Sequence, residues 1–351
     1  MKTPQSCVIR LPFKAGLKRR CFIVAEVSAN HNQHIERAEA IIRAAADAGA
    51  DAVKLQTYTA DTLTIPCDNE YFRITGTLWE GRTLHDLYQE AYTPWEWHPR
   101  LIALANDLGM ACFSTPFDAT AVDFLESLNV PCHKAASFEV VDIPLLKKIA
   151  ATRKPVILST GMASLAEIDE AVRTLRENGT KDLVLLKCTS AYPAPPEEAN
   201  LRTIPHLAEA FGCHAGLSDH TLGTAVAVAA VVLGATVIEK HFTLSRADGG
   251  PDGAFSMEPE EFKRMVQDIR VAEKALGRVS YDLTDTERES IVFRRSLFVV
   301  KGVKAGEFFT EENVRSIRPG HGLHPRFLGD VLGKKALPDI EAGTPLAWDM
   351  L

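Results

Sequence analysis

Polar side chains that could bind a metal ion, an anion or a carbonyl group stand at the ends of short apolar runs in this chain. Two of these runs end in a histidine, His220 and His241. Neutral imidazoles bind Mn²⁺, Fe²⁺, Co²⁺ and Zn²⁺ well, and a site with only two protein ligands leaves positions for water or substrate oxygens. The histidines are 21 residues apart, so no linear metal-binding motif applies. A hydrogen-bonded histidine at a strand end is the competing interpretation of each.

Two lysines, Lys54 and Lys134, occur inside apolar runs. An ammonium group in such a place should meet an anion, form a Schiff base or reach solvent. Hydroxyl side chains stand at the ends of neighbouring runs, at Thr115, Ser137, Ser159 and Ser218. The lysines and hydroxyls together could form a phosphate site, although a serine at a strand end often only caps the next helix. A Schiff-base aldolase acting through either lysine is an alternative.

Acidic residues supply a third kind of chemistry. Glu26 and Glu139 follow two of the apolar runs and could transfer a proton or hold a sugar hydroxyl. A salt bridge to Lys54 or Lys134 explains each of them equally well. A glycine-rich acidic loop at residues 248–253 lacks the ligand spacing of a calcium-binding EF-hand loop.

Eight apolar runs in all carry such polar ends, and most are followed by a helix-like stretch. The polar ends occupy residues 25–32, 54–57, 114–118, 134–139, 159–161, 187–192, 218–221 and 239–242. This alternation is typical of a (β/α)8 TIM barrel, whose chemistry is located at the C-terminal strand ends. A doubly wound open sheet would give a similar pattern. The count of eight and the absence of a G-x-G-x-x-G after any run favour the barrel.

The 351 residues suit a barrel of roughly 250 residues with a small appendage. The pattern predicts a barrel domain over residues 1–280 and a small β-rich domain over 281–351, joined by a linker at about 278–290. Residues 58–93 interrupt the barrel rhythm, and we expect a partly helical cover over its mouth. The tail alone would be marginally stable, so it should dock on the barrel or on another subunit.

Composition narrows the class of protein. A net charge of −7 offers no basic excess for binding nucleic acid. The seven cysteines are an odd number without a C-x-x-C pair, which predicts free thiols in a reducing compartment. No run approaches about 18 apolar residues, so we expect no membrane association and a cytoplasmic location.

The polar ends, taken in order, resemble the sialic acid synthase family. The motifs are AE at 25–26, NHN at 30–32, VKLQT at 53–57, STPF at 114–117, STGM at 159–162, GLSDHT at 216–221 and EKHF at 239–242. The tail resembles the C-terminal SAF, or antifreeze-like, domain of that family. The resemblance covers nearly the whole chain.

This resemblance implies an enzyme, a transferase that condenses phosphoenolpyruvate with an amino-sugar aldehyde and releases phosphate. It implies that His220 and His241 hold Mn²⁺ or Mg²⁺. The implied phosphoenolpyruvate ligands are Lys54, Thr115, Lys134, Ser137, Ser159, Tyr192 and Ser218. The implied catalytic carboxylates are Glu26, Glu139 and Asp252, and the implied sugar ligands are Gln56 and Arg318. Arg318 would come from the tail of a partner subunit, which implies a homodimer with swapped tails.

Four further segments resemble the branch of the family that uses 2,4-diacetamido-2,4,6-trideoxy-L-altrose. They are residues 88–97, 188–196, 245–252 and 318–325. Ser190 stands where an asparagine is common in neuraminate-forming members. Synthases that form neuraminate or legionaminate are the nearest alternatives. A sugar-binding or ice-binding protein built around the tail is a remote one, since a binding module has no need of two histidines beside two lysines.

Overall fold

The computed structural model describes residues 20–351. Within that range the chain divides after Gly277 into two compact units, the second being Arg278–Leu351. Cys7 and the rest of residues 1–19, which the sequence assigns to the barrel domain, lie outside the described residues. The six described cysteines are all free thiols. Between residues 20 and 351, no helix has both the length and the apolar character needed to cross a bilayer.

The first unit is a closed barrel of eight parallel strands, which confirms the predicted (β/α)8 fold. The strands are β1 Phe22–Glu26, β2 Ala52–Thr57, β3 Ala111–Pro116, β4 His133–Ala135, β5 Val156–Ser159, β6 Leu183–Cys188, β7 His214–Asp219 and β8 Val237–His241. Each strand pairs with its neighbours in sequence, and β1 closes the barrel against β8. All eight C-terminal strand ends therefore meet at one mouth.

Helices follow the strands, and most of them cover the outside of the barrel. They are α1 Ile35–Asp47, α2 Ala60–Leu63, α3 Leu84–Ala91, α4 His98–Asp107, α5 Ala119–Ser127, α6 Ile143–Ala151, α7 Leu165–Glu177, α8 Thr203–Phe211, α9 Ala225–Val232 and α10 Pro259–Leu276. Local chemistry sets their ends. Ser164 and Glu167 form a capping box at the start of α7, and Gly277 follows α10 with a positive φ of 47°.

Strand residues alternate between the two faces of the barrel wall, because successive side chains of a strand point to opposite sides. One set packs outward against the helices and includes Ile23, Val53, Leu158, Leu185 and Ile238. The other set fills the barrel as a separate apolar cluster of Phe22, Val24, Ala52, Ala111, Phe113, Cys132, Ile157, Val184, Leu186 and Val237. Gly216 belongs to this inner set, and a Cβ there would lie 2.3 Å from the carbonyl oxygen of Val237. The filled interior is a rigid floor beneath the mouth.

Residues 58–93 leave the barrel after β2 and return at α4. They contain α2 and α3, each opened by a threonine cap, at Thr59 and Thr83. The predicted partly helical character of this segment is thereby confirmed. The indole Nε1 of Trp79 donates a hydrogen bond of 2.9 Å to the carbonyl oxygen of Pro251, in the loop after β8. The segment, which we call the β2 excursion, is thus tied across the mouth.

The second unit has a core of its own. Antiparallel strands β9 Ser296–Val299 and β10 Val314–Ile317 form its two-stranded sheet, with short helices α11 Asp285–Ser290 and α12 Leu328–Val331. Single bridges add strand-like pairing elsewhere, for example between Val303 and Ile340. Its buried core consists of Leu297, Val299, Val303, Phe309, Val314, Val331, Ala336, Ile340 and Leu346.

Candidate active site

A cavity of about 400 Å³ opens at the C-terminal ends of the barrel strands. Eleven of the fourteen residues that the sequence singled out line it: Lys54, Gln56, Lys134, Ser137, Glu139, Ser159, Tyr192, Ser218, His220, His241 and Asp252. Glu26 and Thr115 lie directly beside it, because both contact the ammonium group of Lys54. Arg318 belongs to the second unit, where it is exposed just after β10. The barrel therefore collects thirteen of the fourteen predicted residues in one place.

Four buried charges form the bottom of the cavity. Lys54 Nζ lies 3.1 Å from Glu26 Oε2 and 3.0 Å from Glu239 Oε1. Lys134 Nζ lies 3.2 Å from the same Glu239 oxygen, and Ser218 Oγ donates to it at 3.2 Å. Two ammonium groups thus face two carboxylates in a set that we call the charge quartet. For Glu26, the salt bridge considered from the sequence is present.

Glu239 is the residue that sequence reasoning missed. The motif EKHF was noted at the end of β8, but only its histidine received a role. A signal was available, because Glu239 is two residues before His241 and a strand places residues i and i+2 on one face. The same rule places Lys54 with Gln56 and Ser218 with His220. The helix-facing residue between them in β8, Lys240, pairs instead with Asp219 at 2.6 Å.

Electrostatics in the quartet follow from burial and pairing. Burial alone would raise the pKa of Glu239, but Lys134 and Lys54 hold it well below its usual value. Burial raises the pKa of Glu26 despite the opposing effect of Lys54. Burial lowers the pKa of Lys134, whereas Glu239 and Glu26 outweigh burial and raise the pKa of Lys54. Lys54 is therefore a fixed cation.

The two histidines lie side by side, with ring centroids 5.4 Å apart. His220 Nδ1 lies 2.9 Å from the carbonyl oxygen of Thr189, which fixes this nitrogen as the donor and leaves Nε2 with a lone pair. His241 Nδ1 is buried without a hydrogen-bond partner among the described residues. Burial and the neighbouring His220 lower the pKa of His241 well below its usual value, so its ring is neutral.

These two imidazoles fit a metal ion as donors. No group of three or more His, Cys, Asp or Glu side chains within residues 20–351 is arranged to hold one. An ion held by His220 and His241 would therefore take its other ligands from water or substrate, which leaves it able to act as a Lewis acid. Tyr192 stacks at a tilt over His220, with centroids 4.4 Å apart, and closes one side of the pair.

Hydroxyl groups occupy the neighbouring strand ends. Ser137 Oγ accepts a hydrogen bond of 3.1 Å from the backbone N–H of Gly161, while Ser159 Oγ is buried without a partner among the described residues. Any side chain at position 161 would collide with Ser137, since a Cβ there would lie 2.8 Å from its Oγ. The backbone thus approaches the cavity closely at Gly161.

Unsatisfied polar atoms mark the cavity as a binding site. Four buried side-chain atoms on its lining have no hydrogen-bond partner among the described residues: Glu139 Oε2, Ser159 Oγ, Glu239 Oε2 and His241 Nδ1. Buried polar groups are nearly always paired, and an exception needs a ligand, an ion or water. Their concentration in one cavity indicates that a polar ligand completes their hydrogen bonds.

Two further carboxylates extend the polar lining. Asp252 accepts a hydrogen bond from Ser28 Oγ, and Gln56 Nε2 donates to Ser28 Oγ and to Glu26 Oε1, both at 3.0 Å. This chain links the loop after β8 to the charge quartet. Burial raises the pKa of Asp252, and it raises the pKa of Glu139 to about 7. Glu139 can therefore exchange a proton near neutral pH.

Cys188 is a second lining residue without a role from the sequence. Its Sγ lies 3.9 Å from His220 Nδ1. Burial would raise the pKa of this thiol, but contact with His220 lowers it to about 7. Its position at the end of β6, on the inward-facing set with Val184 and Leu186, places it in the mouth.

Comparison with known proteins extends this picture. The model of the NeuB family matches residues 41–281, and that of the SAF domain matches residues 294–351. The chain is 47% identical over 328 residues to a pseudaminic acid synthase of Campylobacter jejuni, covering 93% of this chain and 96% of that protein. It is 39% identical over 322 residues to an N,N'-diacetyllegionaminic acid synthase of the same species, covering 91% and 96%.

A solved structure supports the same relationship. The N-acetylneuraminic acid synthetase of Leptospira borgpetersenii, in complex with citrate, superposes with a TM-score of 0.69 and 31% sequence identity. The match covers 78% of this chain and 90% of that one. With a family model that spans most of the barrel and relatives matched along nearly their whole length, the chain belongs to the NeuB family.

Proposed function

We propose that this chain condenses phosphoenolpyruvate with 2,4-diacetamido-2,4,6-trideoxy-L-altrose to give pseudaminic acid and phosphate, with cleavage of the C–O bond of phosphoenolpyruvate. The main observation in support of this reaction is that one cavity contains two buried ammonium groups together with hydroxyl and imidazole atoms that have no hydrogen-bond partner among the described residues. The choice of sugar rests on the relatives, because identity to the pseudaminic acid synthase exceeds identity to the legionaminic acid synthase of the same organism, 47% against 39%.

Phosphoenolpyruvate brings a phosphate and a carboxylate, and the cavity offers complementary groups. Lys54 is held cationic by its carboxylate partners, and Lys134 shares one of them. Ser159 Oγ, buried without a described partner, is free to donate to a phosphate oxygen, and we assign Ser137 to the same ligand. We assign Thr115, Tyr192 and Ser218 to the same ligand. Fixed donors in a water-poor site stabilise developing charge more effectively than water does.

The reaction joins C3 of phosphoenolpyruvate to the aldehyde carbon of the sugar. The aldehyde oxygen takes up a proton and becomes a hydroxyl group. Water then adds at C2 and gives up a proton, and breaking the C2–O bond releases phosphate and leaves the 2-keto acid. Glu139 can accept or return such a proton, since its pKa of about 7 lies near neutral pH. We assign a proton-handling role also to Glu26 and Asp252, and sugar contacts to Gln56.

A divalent ion fits this scheme at His220 and His241. When bound there, Mn²⁺ or Mg²⁺ would supply Lewis-acid polarisation of the aldehyde. The chain's own contribution is to hold both rings in place. The carbonyl oxygen of Thr189 fixes His220, and Tyr192 and Phe255 pack against the pair, with Phe255 4.9 Å from His241 between ring centroids.

A Schiff-base mechanism suits Lys54 poorly. An amine that attacks a carbonyl must be unprotonated, and the ion pairs raise the pKa of Lys54 above its usual value. Burial lowers the pKa of Lys134 although Glu239 lies 3.2 Å away, so Lys134 is the lysine for which a trapping experiment is informative. Borohydride trapping in the presence of sugar or pyruvate tests this directly, and we expect no adduct.

The full site is proposed to include Arg318 from a partner subunit, as the resemblance to the family implies. Mixing two inactive variants, His241→Ala and Arg318→Ala, under conditions that exchange subunits should restore part of the activity, because a mixed dimer contains one site with neither substitution. Recovery of no activity from a verified mixed dimer would refute the exchange of tails.

Phosphate release is the decisive assay. The protein is incubated with phosphoenolpyruvate, Mn²⁺ and a panel of sugars, and products are identified by mass and NMR. The panel contains 2,4-diacetamido-2,4,6-trideoxyhexoses and the precursor of neuraminate. We expect phosphate and a nine-carbon 2-keto acid with the L-altro sugar. Turnover only with the legionaminate or neuraminate precursor would correct the sugar. No phosphate release with any member of the panel would refute the proposed function.

A further inference from the structure

The cavity has two unlike sides. One side is the barrel mouth, with the charge quartet, the hydroxyls and the histidines. The other side is supplied by the β2 excursion, whose lining residues include Leu63, Ile74, Leu84 and Leu87. Phe117, from the loop after β3, stands beside them. We call Leu63, Ile74, Leu84, Leu87 and Phe117 the apolar wall.

The charged residues of the β2 excursion lie away from the cavity. Residues 58–93, all of which the structure describes, include nine Asp, Glu, Arg and His residues, and none of these lines the cavity. Leu63, Ile74 and Leu84 remain half-buried, so their side chains are still accessible from the cavity. The wall therefore presents hydrocarbon to whatever occupies the site.

The polar side chains on this side are Tyr58, Thr77, Trp79 and Tyr88, and the five residues of the apolar wall add no polar side-chain atom. The indole N–H of Trp79 already donates a hydrogen bond to the carbonyl oxygen of Pro251. Tyr58 is packed edge-on against Phe117 and Tyr88, with centroids 5.1 and 5.9 Å away. A ligand hydroxyl placed against the wall would lose its hydrogen bonds to water and gain few in return, which is unfavourable. A methyl group there loses nothing and buries apolar area.

We propose that the apolar wall is a subsite for the C6 methyl group of the sugar and selects 6-deoxy sugars over their 6-hydroxy counterparts. The inference rests on the proposed function for its substrate class. Phosphoenolpyruvate has two anionic groups and therefore belongs at the charge quartet. The sugar occupies the remaining space, between the charge quartet and the β2 excursion. A hydrophobic pocket discriminates against an isostere that adds a hydroxyl by at most about 100-fold.

The test compares two sugars that differ only at C6, a 2,4-diacetamido-2,4,6-trideoxyhexose and its 6-hydroxy analogue. Both are measured by kcat/KM for phosphate release and by calorimetric binding in the presence of phosphoenolpyruvate. The wall variants are Leu84→Asn and Ile74→Thr. The matched control is Leu78→Asn, since Leu78 is on the same excursion, is 55% exposed and is not part of the lining.

We expect the unmodified protein to prefer the deoxy sugar by roughly 10-fold or more. Leu84→Asn and Ile74→Thr should lower this ratio at least threefold while the KM for phosphoenolpyruvate stays unchanged, and Leu78→Asn should keep the ratio. Equal kcat/KM for both sugars, or wall variants that keep the original preference, would overturn the subsite. Binding separates the two proposals: a wall-dependent preference without turnover supports the subsite and refutes the reaction.

Discussion

Replacing Glu239 by glutamine should unbalance the charge quartet. The carboxylate lies 3.0 Å from Lys54 Nζ and 3.2 Å from Lys134 Nζ, and all three side chains are buried. At an effective dielectric constant of about 20, one such contact corresponds to about 5 kcal/mol of Coulomb energy. Removing one partner of a buried pair typically costs about 3–5 kcal/mol net. Because Glu26 still pairs with Lys54, the unpaired charge in the variant is Lys134.

A double-mutant cycle isolates this interaction. Glu239→Gln, Lys134→Met and the double variant are unfolded in urea at about pH 8, without substrate, where model carboxylates are ionised. We expect Glu239→Gln alone to lower the free energy of unfolding by about 3–5 kcal/mol. The double variant should be less destabilised than the sum of the singles by about 2 kcal/mol, because Lys54 and Glu26 remain as a neutral pair. Additive single effects would refute the assigned coupling.

Three further outcomes are expected. Lys240→Met should lower the free energy of unfolding by about 3–5 kcal/mol, because it leaves the buried carboxylate of Asp219, 2.6 Å away, without its cation. The control Lys304→Met breaks an exposed ion pair and should leave the urea midpoint unchanged. Equal effects of the two substitutions would contradict this reasoning. Glu139 has a pKa raised by burial to about 7, so its carboxylate form grows above that pH; kcat/KM should rise through about pH 7, and this limb should be absent in Glu139→Gln. His241→Ala should abolish phosphate release while circular dichroism stays unchanged, and retained turnover would remove its metal role.

The barrel and most of its mouth could be predicted because parallel strands that are buried on both faces appear in the sequence as short apolar runs. Each run ends where the strand meets the mouth, so polar residues there mark the site without any knowledge of contacts. Strand lengths were less predictable. The polar end at 134–139 belongs to a strand of only three residues, His133–Ala135, because the chain turns into a short 3₁₀ helix at Ser137.

Partnerships between residues far apart in sequence could not be read from the runs. The sequence left Glu26 divided between catalysis and a salt bridge, and only the closed barrel brings it within 3.1 Å of Lys54. Glu239 escaped notice because its contacts lie on β2, β4 and β7, up to 185 residues away. The polarity of the β2 excursion was equally hidden, since its apolar residues follow no regular period and its hydrogen bond from Trp79 depends on the loop after β8.

The division of the cavity between barrel and excursion has an evolutionary consequence. The polar side of the cavity is assembled from inward-facing residues of six strands, β1, β2, β4, β5, β7 and β8. A substitution there therefore disturbs partners on other strands. The wall comes mainly from one continuous stretch of 36 residues, 58–93. Changes confined to that single segment can therefore alter the sugar specificity of the enzyme, while the barrel residues proposed to perform the condensation stay the same.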